Sequence, residues 1–500
     1  MSPPDIVASK NPGTMKIGQT SIVYFVSKLL ATAFGFLATL YIARLLGPEV
    51  LGSYYLAIGL VAWLSIVGRI GVTDAIIKRV SEGEEQGSHV TAGSTIIAVL
   101  FIVTAAALFV AKPYVDQYIG FSATLFVILI LFVTLVHSAV SSVLTGLRLV
   151  HVNGVLTTVK IGSRSVFQIL AVIAGLEIVG LFFGYIAGFV VVIALGGVVI
   201  GRNLKEVSLP QKRHFRSLAD FAKFSWLGSL QSKMFSYTDI LVLGLFTPSA
   251  LIGVYSIAWN ISEFLIIFAT AISTTLFPEI SQLSTDSDND SRAIRNLVEN
   301  ALAYAGLFLV PGLIGGAVIG ERLLRIYGKE FTQGATILVI LIVANLVMSY
   351  QNQILNTLNA INRPELAFRV NGLFVVANVS LNVLLIYRYG WIGAAVATSL
   401  SVTISLLLGY YYLRSLIAFE VPYREIARQW VAATIMGGVV FGGLRIEEGY
   451  DLLSNNVATV LVLVGAGAIV YFGVYFYISR RFRDTVANNL PFDVRITQQL

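Results

Sequence analysis

Lys160 and Arg164 stand four residues apart in TTVKIGSRSVFQILAVIAGL, residues 157–176, a stretch otherwise almost wholly apolar. On a helix, positions i and i+4 share a face, and two like charges there repel each other. An anion between them relieves that repulsion. Arginine offers a planar fork that takes a phosphate through two parallel hydrogen bonds, and lysine adds a point charge. Counted from a cytoplasmic helix entry near 155, Arg164 lies about 13–14 Å deep at 1.5 Å per residue. That is close to the middle of a hydrocarbon core about 30 Å thick. A charge at such a depth costs roughly 2.5–3.5 kcal/mol on insertion scales, so it faces a bundle interior or a wet cavity.

The competing reading is snorkelling, in which a long stem carries the cation to the headgroups. It suits Lys223, near a cytoplasmic end, weighs evenly for Lys160, and is strained for Arg164. Lys28, in VSKLLATAFGF, and Lys233, in LQSKMFSYTDI, are two further cations inside apolar segments. Each either lines the same cavity, snorkels or pairs.

Two acids inside apolar segments, Asp239 and Glu263, are candidates for coupling transport to a proton or sodium gradient, since carriers use buried carboxylates as relays. An ion pair with Lys233 explains either one equally well. His137 is the one histidine inside an expected span, and an interhelical hydrogen bond is its expected role. The histidines at 89, 137, 151 and 214 have no metal-ligand spacing, and there is no cysteine. TDSDNDSR, 285–292, begins like a calcium loop but has Ser291 where glycine is needed and Leu297 where glutamate is needed. No metal and no cofactor are expected. There is no phosphate-binding G-x-x-x-x-G-K-[ST] loop and no nucleophile elbow. The tyrosines of YYYLR, 410–414, and YFGVYFYIS, 471–479, read as an interfacial belt.

These residues are positioned by a membrane-embedded helical scaffold. Of 500 residues, 56% are hydrophobic and 12% charged, against about 25% charged in soluble domains. The expected fold is an all-α integral membrane protein with about 14 spans: 20–45, 50–72, 91–112, 119–146, 155–176, 178–200, 219–246, 249–277, 297–320, 332–359, 365–387, 391–413, 426–444 and 456–479. With a cytoplasmic N-terminus, 22 lysines and arginines fall on the inside and 7 on the outside. That asymmetry supports cytoplasmic N- and C-termini in the cell membrane. It also accounts for the net charge of +7 without nucleic acid.

LLGPEVLGSYYLAI (45–58) is echoed by LFTPSALIGVYSIAW (245–259), SSVLTGLRLVHVNG (141–154) by NQILNTLNAINRPE (352–365), and VGLFFGYIAG (179–188) by YGWIGAAVAT (389–398). Three matches in one order at a nearly fixed offset indicate an internal repeat. The expected organisation is therefore a cytoplasmic segment 1–19, a six-helix bundle 20–200, a basic cytoplasmic linker 201–218, a second six-helix bundle 219–413, two additional helices in 414–479 and a cytoplasmic tail 480–500. An even number of spans per half starts both halves on the same side, the parallel-repeat plan of alternating-access carriers.

The fourteen spans, the two six-helix halves plus two, and the LLGPEVLGSYYLA turn resemble the polysaccharide-export branch of the multidrug/oligosaccharidyl-lipid/polysaccharide exporter superfamily, the Wzx-like flippases. The resemblance covers nearly the whole chain. It implies a non-enzymatic monomer that moves a polyprenyl-diphosphate-linked oligosaccharide across the membrane. It also implies two bundles around a central cationic cavity, and final helices that contact the lipid tail. Two alternatives stand beside it, a cation-coupled multidrug exporter of the same superfamily and a membrane-embedded polymerase.

Overall fold

The computed structural model describes residues 17–204, 206–283, 290–450, 453 and 455–489, with side chains described at all of these except 17–32, 224–236, 267–283, 290–291 and 488–489. Among the described residues sixteen α-helices follow one another, with a 3-10 helix (Lys329–Gly334) before the twelfth: α1 (Ile17–Val67), α2 (Val72–Glu82), α3 (Gln86–Val110), α4 (Lys112–Ile119), α5 (Thr124–Gly146), α6 (Val150–Ile173), α7 (Glu177–Asn203), α8 (Lys212–Phe246), α9 (Ser249–Leu283), α10 (Asp290–Tyr304), α11 (Leu309–Arg325), α12 (Ala335–Ala360), α13 (Pro364–Leu416), α14 (Tyr423–Tyr450), α15 (Asn456–Ile478) and α16 (Arg480–Asn489). There is no strand among the described residues. Lipid leaves the backbone no water to bond with, and a helix satisfies it internally.

Eleven described segments are long and apolar enough to cross a bilayer. Two of them contain a sharp break. α1 turns at Gly47, with φ 72°, ahead of Pro48, and α13 turns at Gly390, with φ 59°. A side chain at either glycine would be strained in that left-handed conformation. Each long helix therefore holds two of the spans expected from sequence. The chain also breaks between α6 and α7, through Gly175 and Glu177, both with positive φ.

The helices gather into two compact units. The first comprises Met1–Thr39, Leu64–Val110 and Ile128–Trp226; the second comprises Leu40–Trp63, Ala111–Val127 and Leu227–Leu500. In the first unit, α6 and α7 form a long antiparallel pair, and Leu144 of α5 packs with Leu156 and Val192 of that pair. The start of α8 and the strand of chain before it are moored to this unit. A Cβ on Gly87 would lie 1.9 Å from the Glu206 carbonyl oxygen, so only glycine admits that close approach. Glu85 accepts from Arg213 at 2.5 Å and from His214 Nε2 at 2.8 Å. His214 Nδ1 in turn accepts the Gln211 N–H at 2.8 Å, which fixes the ring's proton on Nε2.

The His214 hydrogen bond, joined by the Arg213 charge, holds Glu85 below its ordinary pKa. A carboxylate so depressed stabilises the fold above its unfolded pKa and loses that effect as pH falls through the folded value. Glu85→Gln is therefore expected to lower the melting temperature of the purified protein at neutral pH. The gap from wild type should close as the pH drops below about 4.

In the second unit, Leu302, Ile354, Leu358, Val370 and Leu413 build a core among α10, α12 and α13. α14 and α15 are pinned to the rest of this unit at both ends. At one end Arg322 pairs with Glu447 at 2.7 Å. At the other, Glu425 accepts from Tyr475 and Arg428, both at 2.8 Å, and from Ser479, while Gln429 donates to the Ala303 carbonyl at 2.7 Å.

Candidate functional site

α6 is 24 residues long, and Lys160 and Arg164 lie near its middle. Both are half-buried. The neighbouring helix positions them through glycine. Gly180, Gly184 and Gly188 form a ridge along one face of α7, and α6 lies directly on it. A Cβ at Gly188 would lie 2.7 Å from Arg164 Cβ and 2.8 Å from its Cα. One at Gly184 would lie 2.5 Å from the Gln168 backbone nitrogen, and one at Gly180 would lie 2.8 Å from Ala171 Cβ. In lipid, helices associate through such close backbone approach, because apolar side chains gain little by leaving acyl chains.

With the backbones this close, the cations settle over an aromatic platform on α7. Tyr185 and Phe189 stack at 4.7 Å between centroids. The Arg164 guanidinium lies 5.6 Å from the Tyr185 ring centre, and the Lys160 ammonium lies 5.0 Å from that of Phe189. Desolvated cation–π contacts contribute up to about 2 kcal/mol each, and here they offset part of the cost of burying charge.

Lys160 Nζ also lies 3.0 Å from His137 Nε2. An ammonium can only donate, so Nε2 accepts and the imidazole proton sits on Nδ1, which is buried and has no partner. The interhelical bond expected of His137 is present, and its partner is Lys160. The contact ties Lys160 of α6 to a histidine of α5. Arg164 Nε is likewise buried without a partner. Orphaned donors beside two cations make this a place where an anion would be stabilised. The Lys28 and Lys233 side chains lie outside the described residues.

Gly188→Leu is expected to push α6 off the ridge and lift Arg164 from Tyr185. The melting temperature of the purified protein should fall, whereas Gly197→Leu, where an added Cβ meets nothing within 4 Å, should leave it near wild type.

Asp239, on α8 in the second unit, is 2% exposed. Every described partner of its carboxylate is neutral. It accepts from the Tyr255 hydroxyl on α9, from Asn382 Nδ2 at 2.8 Å, and from Thr398 Oγ1 at 2.9 and 2.7 Å, the last two from either side of the α13 break. Asn378 Nδ2 donates to Thr398 Oγ1 at 3.2 Å. The side-chain oxygens of Asn378 and Asn382 are buried with no partner. The surroundings thus combine a carboxylate with unpaired amide oxygens and hydroxyls, an all-oxygen donor set suited to a small hard cation or a proton. Glu263, the other candidate acid, is exposed on α9. No cluster of three or more His, Cys, Asp or Glu side chains that could hold a metal ion occurs among the described residues.

Two sets of residues escaped the sequence reading. Tyr185 and Phe189 lie one turn apart, the aromatic counterpart of the Lys160/Arg164 spacing. Asn378, Asn382 and Thr398 are buried polar residues within two mostly apolar spans, where each needs a partner.

The family model described as "Polysaccharide biosynthesis protein" matches residues 17–284. The chain belongs to that family. Among its relatives, a probable flippase of Haloferax volcanii, AglR, is 30% identical over 94% of this chain and 98% of its own. A probable low-salt glycan biosynthesis flippase of the same organism, Agl15, is 28% identical over 95% and 99%. The structure of the lipid II flippase MurJ in an inward closed conformation superposes with a TM-score of 0.75 at 16% identity, covering 93% of this chain and all of that one. An inward-facing MATE multidrug transporter superposes at 0.60 and 15% identity, covering 77% and 95%. The fold is shared by flippase and drug exporter alike and does not by itself distinguish them.

Proposed function

We propose that this multi-pass membrane protein is a flippase that moves a polyprenyl-diphosphate-linked oligosaccharide across the cell membrane for surface-glycan assembly. The observation that carries the reading is the pair of mid-span cations, Lys160 and Arg164, seated on Tyr185 and Phe189 with buried donors unsatisfied. A diphosphate is the anion such a pair suits. Arg164 engages one phosphoryl group through its fork and Lys160 the other as a point charge. The flanking aromatic faces lower the local dielectric and strengthen both contacts. The flippase relatives support the same reading, whereas a drug exporter for cationic substrates would place acids, not cations, here.

Binding alone does not drive net movement. The Asp239 site supplies a second, oxygen-lined position for a coupling ion, H⁺ or Na⁺. Asp239 accepts it together with the free oxygens of Asn378 and Asn382, and the ion neutralises a carboxylate otherwise held only by neutral donors. Transport then follows alternating access, with the N- and C-termini cytoplasmic as the loop charge indicates. The decisive experiment is leaflet-resolved detection of the lipid-linked oligosaccharide in membranes with and without the protein. Accumulation on the cytoplasmic leaflet in its absence supports flipping; normal translocation without it overturns the reading.

A further inference from the structure

The two cations of α6 are held in different ways. The Arg164 guanidinium lies over Tyr185, whereas the Lys160 ammonium has both a ring, Phe189, and an acceptor, His137 Nε2 at 3.0 Å. Phe189 also meets His137, at 5.2 Å between centroids and 87° between planes. It thereby braces the imidazole of α5, while the ammonium rides on a flexible four-carbon stem. His137 and Phe189 are both neutral. They satisfy the ammonium in part without cancelling its charge. A carboxylate in place of the imidazole would cancel it and would rival a phosphate for the same lysine.

We propose that His137 is the resting partner of Lys160, a positioning residue that holds the ammonium between turnovers and competes with the cargo for it. This role rests on the flippase reading, which brings a diphosphate to Lys160 and Arg164. On binding, the ammonium passes from a neutral acceptor to a charged one, and the exchange gains a Coulomb attraction that the imidazole does not supply. On release the exchange runs backwards. With His137 in reach, the departing diphosphate does not leave a buried ammonium stripped of its acceptor, which would cost the full desolvation of a charged donor. Without it, the empty site would be destabilised relative to the loaded one and would hold its cargo too tightly. Arg164, its backbone pressed on Gly188, is then the fixed arm of the clamp and Lys160 the exchanging arm.

The test is equilibrium binding of geranylgeranyl diphosphate to the full-length protein in nanodiscs, with its dissociation rate. His137→Leu keeps apolar packing against Phe189 and removes the acceptor. It should bind the probe about tenfold more tightly than wild type and release it correspondingly more slowly. His137→Gln, whose amide oxygen can accept in place of Nε2, should return both values toward wild type. Damaged packing alone would weaken binding instead. An affinity of His137→Leu at or below that of wild type overturns the resting role. Because the variants could lose their fold, a second measurement uses wild type alone. The chain has four histidines, and in nitrogen-15 histidine spectra the Nε2 signal of one of them should shift as the probe draws Lys160 away. Signals that all stay in place at saturating probe overturn the exchange. Wild type that does not bind the probe overturns the diphosphate reading itself, an outcome distinct from binding that His137→Leu fails to tighten.

Discussion

Arg164→Ala is expected to abolish flipping while leaving the protein as stable as wild type or more so. The two halves of that expectation have different origins. A hydrogen bond to a charged group contributes about 1.5–3 kcal/mol. Losing both arms of a bidentate contact therefore weakens diphosphate binding by at least about 100-fold. The apo protein, by contrast, is relieved of a mid-span charge that costs roughly 2.5–3.5 kcal/mol to insert, less the cation–π contact with Tyr185. Arg164→Lys keeps charge but not the fork, and should retain only a small part of the activity. The measurements are leaflet-resolved transport and thermal unfolding of the purified variants. Wild-type transport by a well-inserted Arg164→Ala protein removes the phosphate role. A large drop in melting temperature would make the residue structural instead.

Much of the scaffold was legible because membrane helices announce themselves by length and apolarity. Pro48 and Gly47, between two apolar runs, marked a turn that the structure realises as a break inside one long helix rather than a loop. The Arg164 position was legible for a reason of cost: a mid-span cation needs an explanation, and its depth followed from helical rise alone. What holds the cation in place was not legible. VGLFFGYIAG was read for its likeness to YGWIGAAVAT, while its G-x-x-x-G-x-x-x-G spacing, which brings α6 onto α7, passed unused. The tyrosine in it, Tyr185, was not singled out, since the sequence reading weighed tyrosines only at 410–414 and 471–479. Around Asp239 the difficulty was one of distance in sequence. Tyr255, Asn382 and Thr398 are 16, 143 and 159 residues away, and no periodicity links them. Lys233, the nearest basic residue in sequence, attracted attention in their stead.

The same offset also shows how one helix-pair plan can serve two ends. Counting 210 residues on, Gly188 corresponds to Thr398 and Gln168 to Asn378. In the first unit, glycine at 188 makes room for the Arg164 backbone, and Gln168 donates to the Leu181 carbonyl at 2.9 Å. In the second unit, Thr398 and Asn378 turn toward a carboxylate. Ala38 stands 201 residues before Asp239, so the first unit has no equivalent acid. We propose that divergence at these few small residues separates an anion-favouring position from a cation-favouring one.

Asp239→Asn is the sharpest test of that division. The amide is nearly isosteric, and its oxygen can still accept from Tyr255 and Thr398, so the fold should survive. Removing a buried carboxylate also removes an insertion cost of roughly 2.5–3.5 kcal/mol. What is lost is the negative charge that balances a bound cation or accepts a proton. Transport in proteoliposomes should consequently fall to the uncoupled level and cease to respond to an imposed sodium or proton gradient. A ligand that binds only the folded state at 100 times its Kd adds about 2.7 kcal/mol of stability. If sodium is the coupling ion, it should raise the melting temperature of wild type and leave Asp239→Asn unchanged. If the proton is, the wild-type transport rate should follow pH while the variant's does not. Gradient-driven transport that persists in Asp239→Asn would show that coupling resides elsewhere.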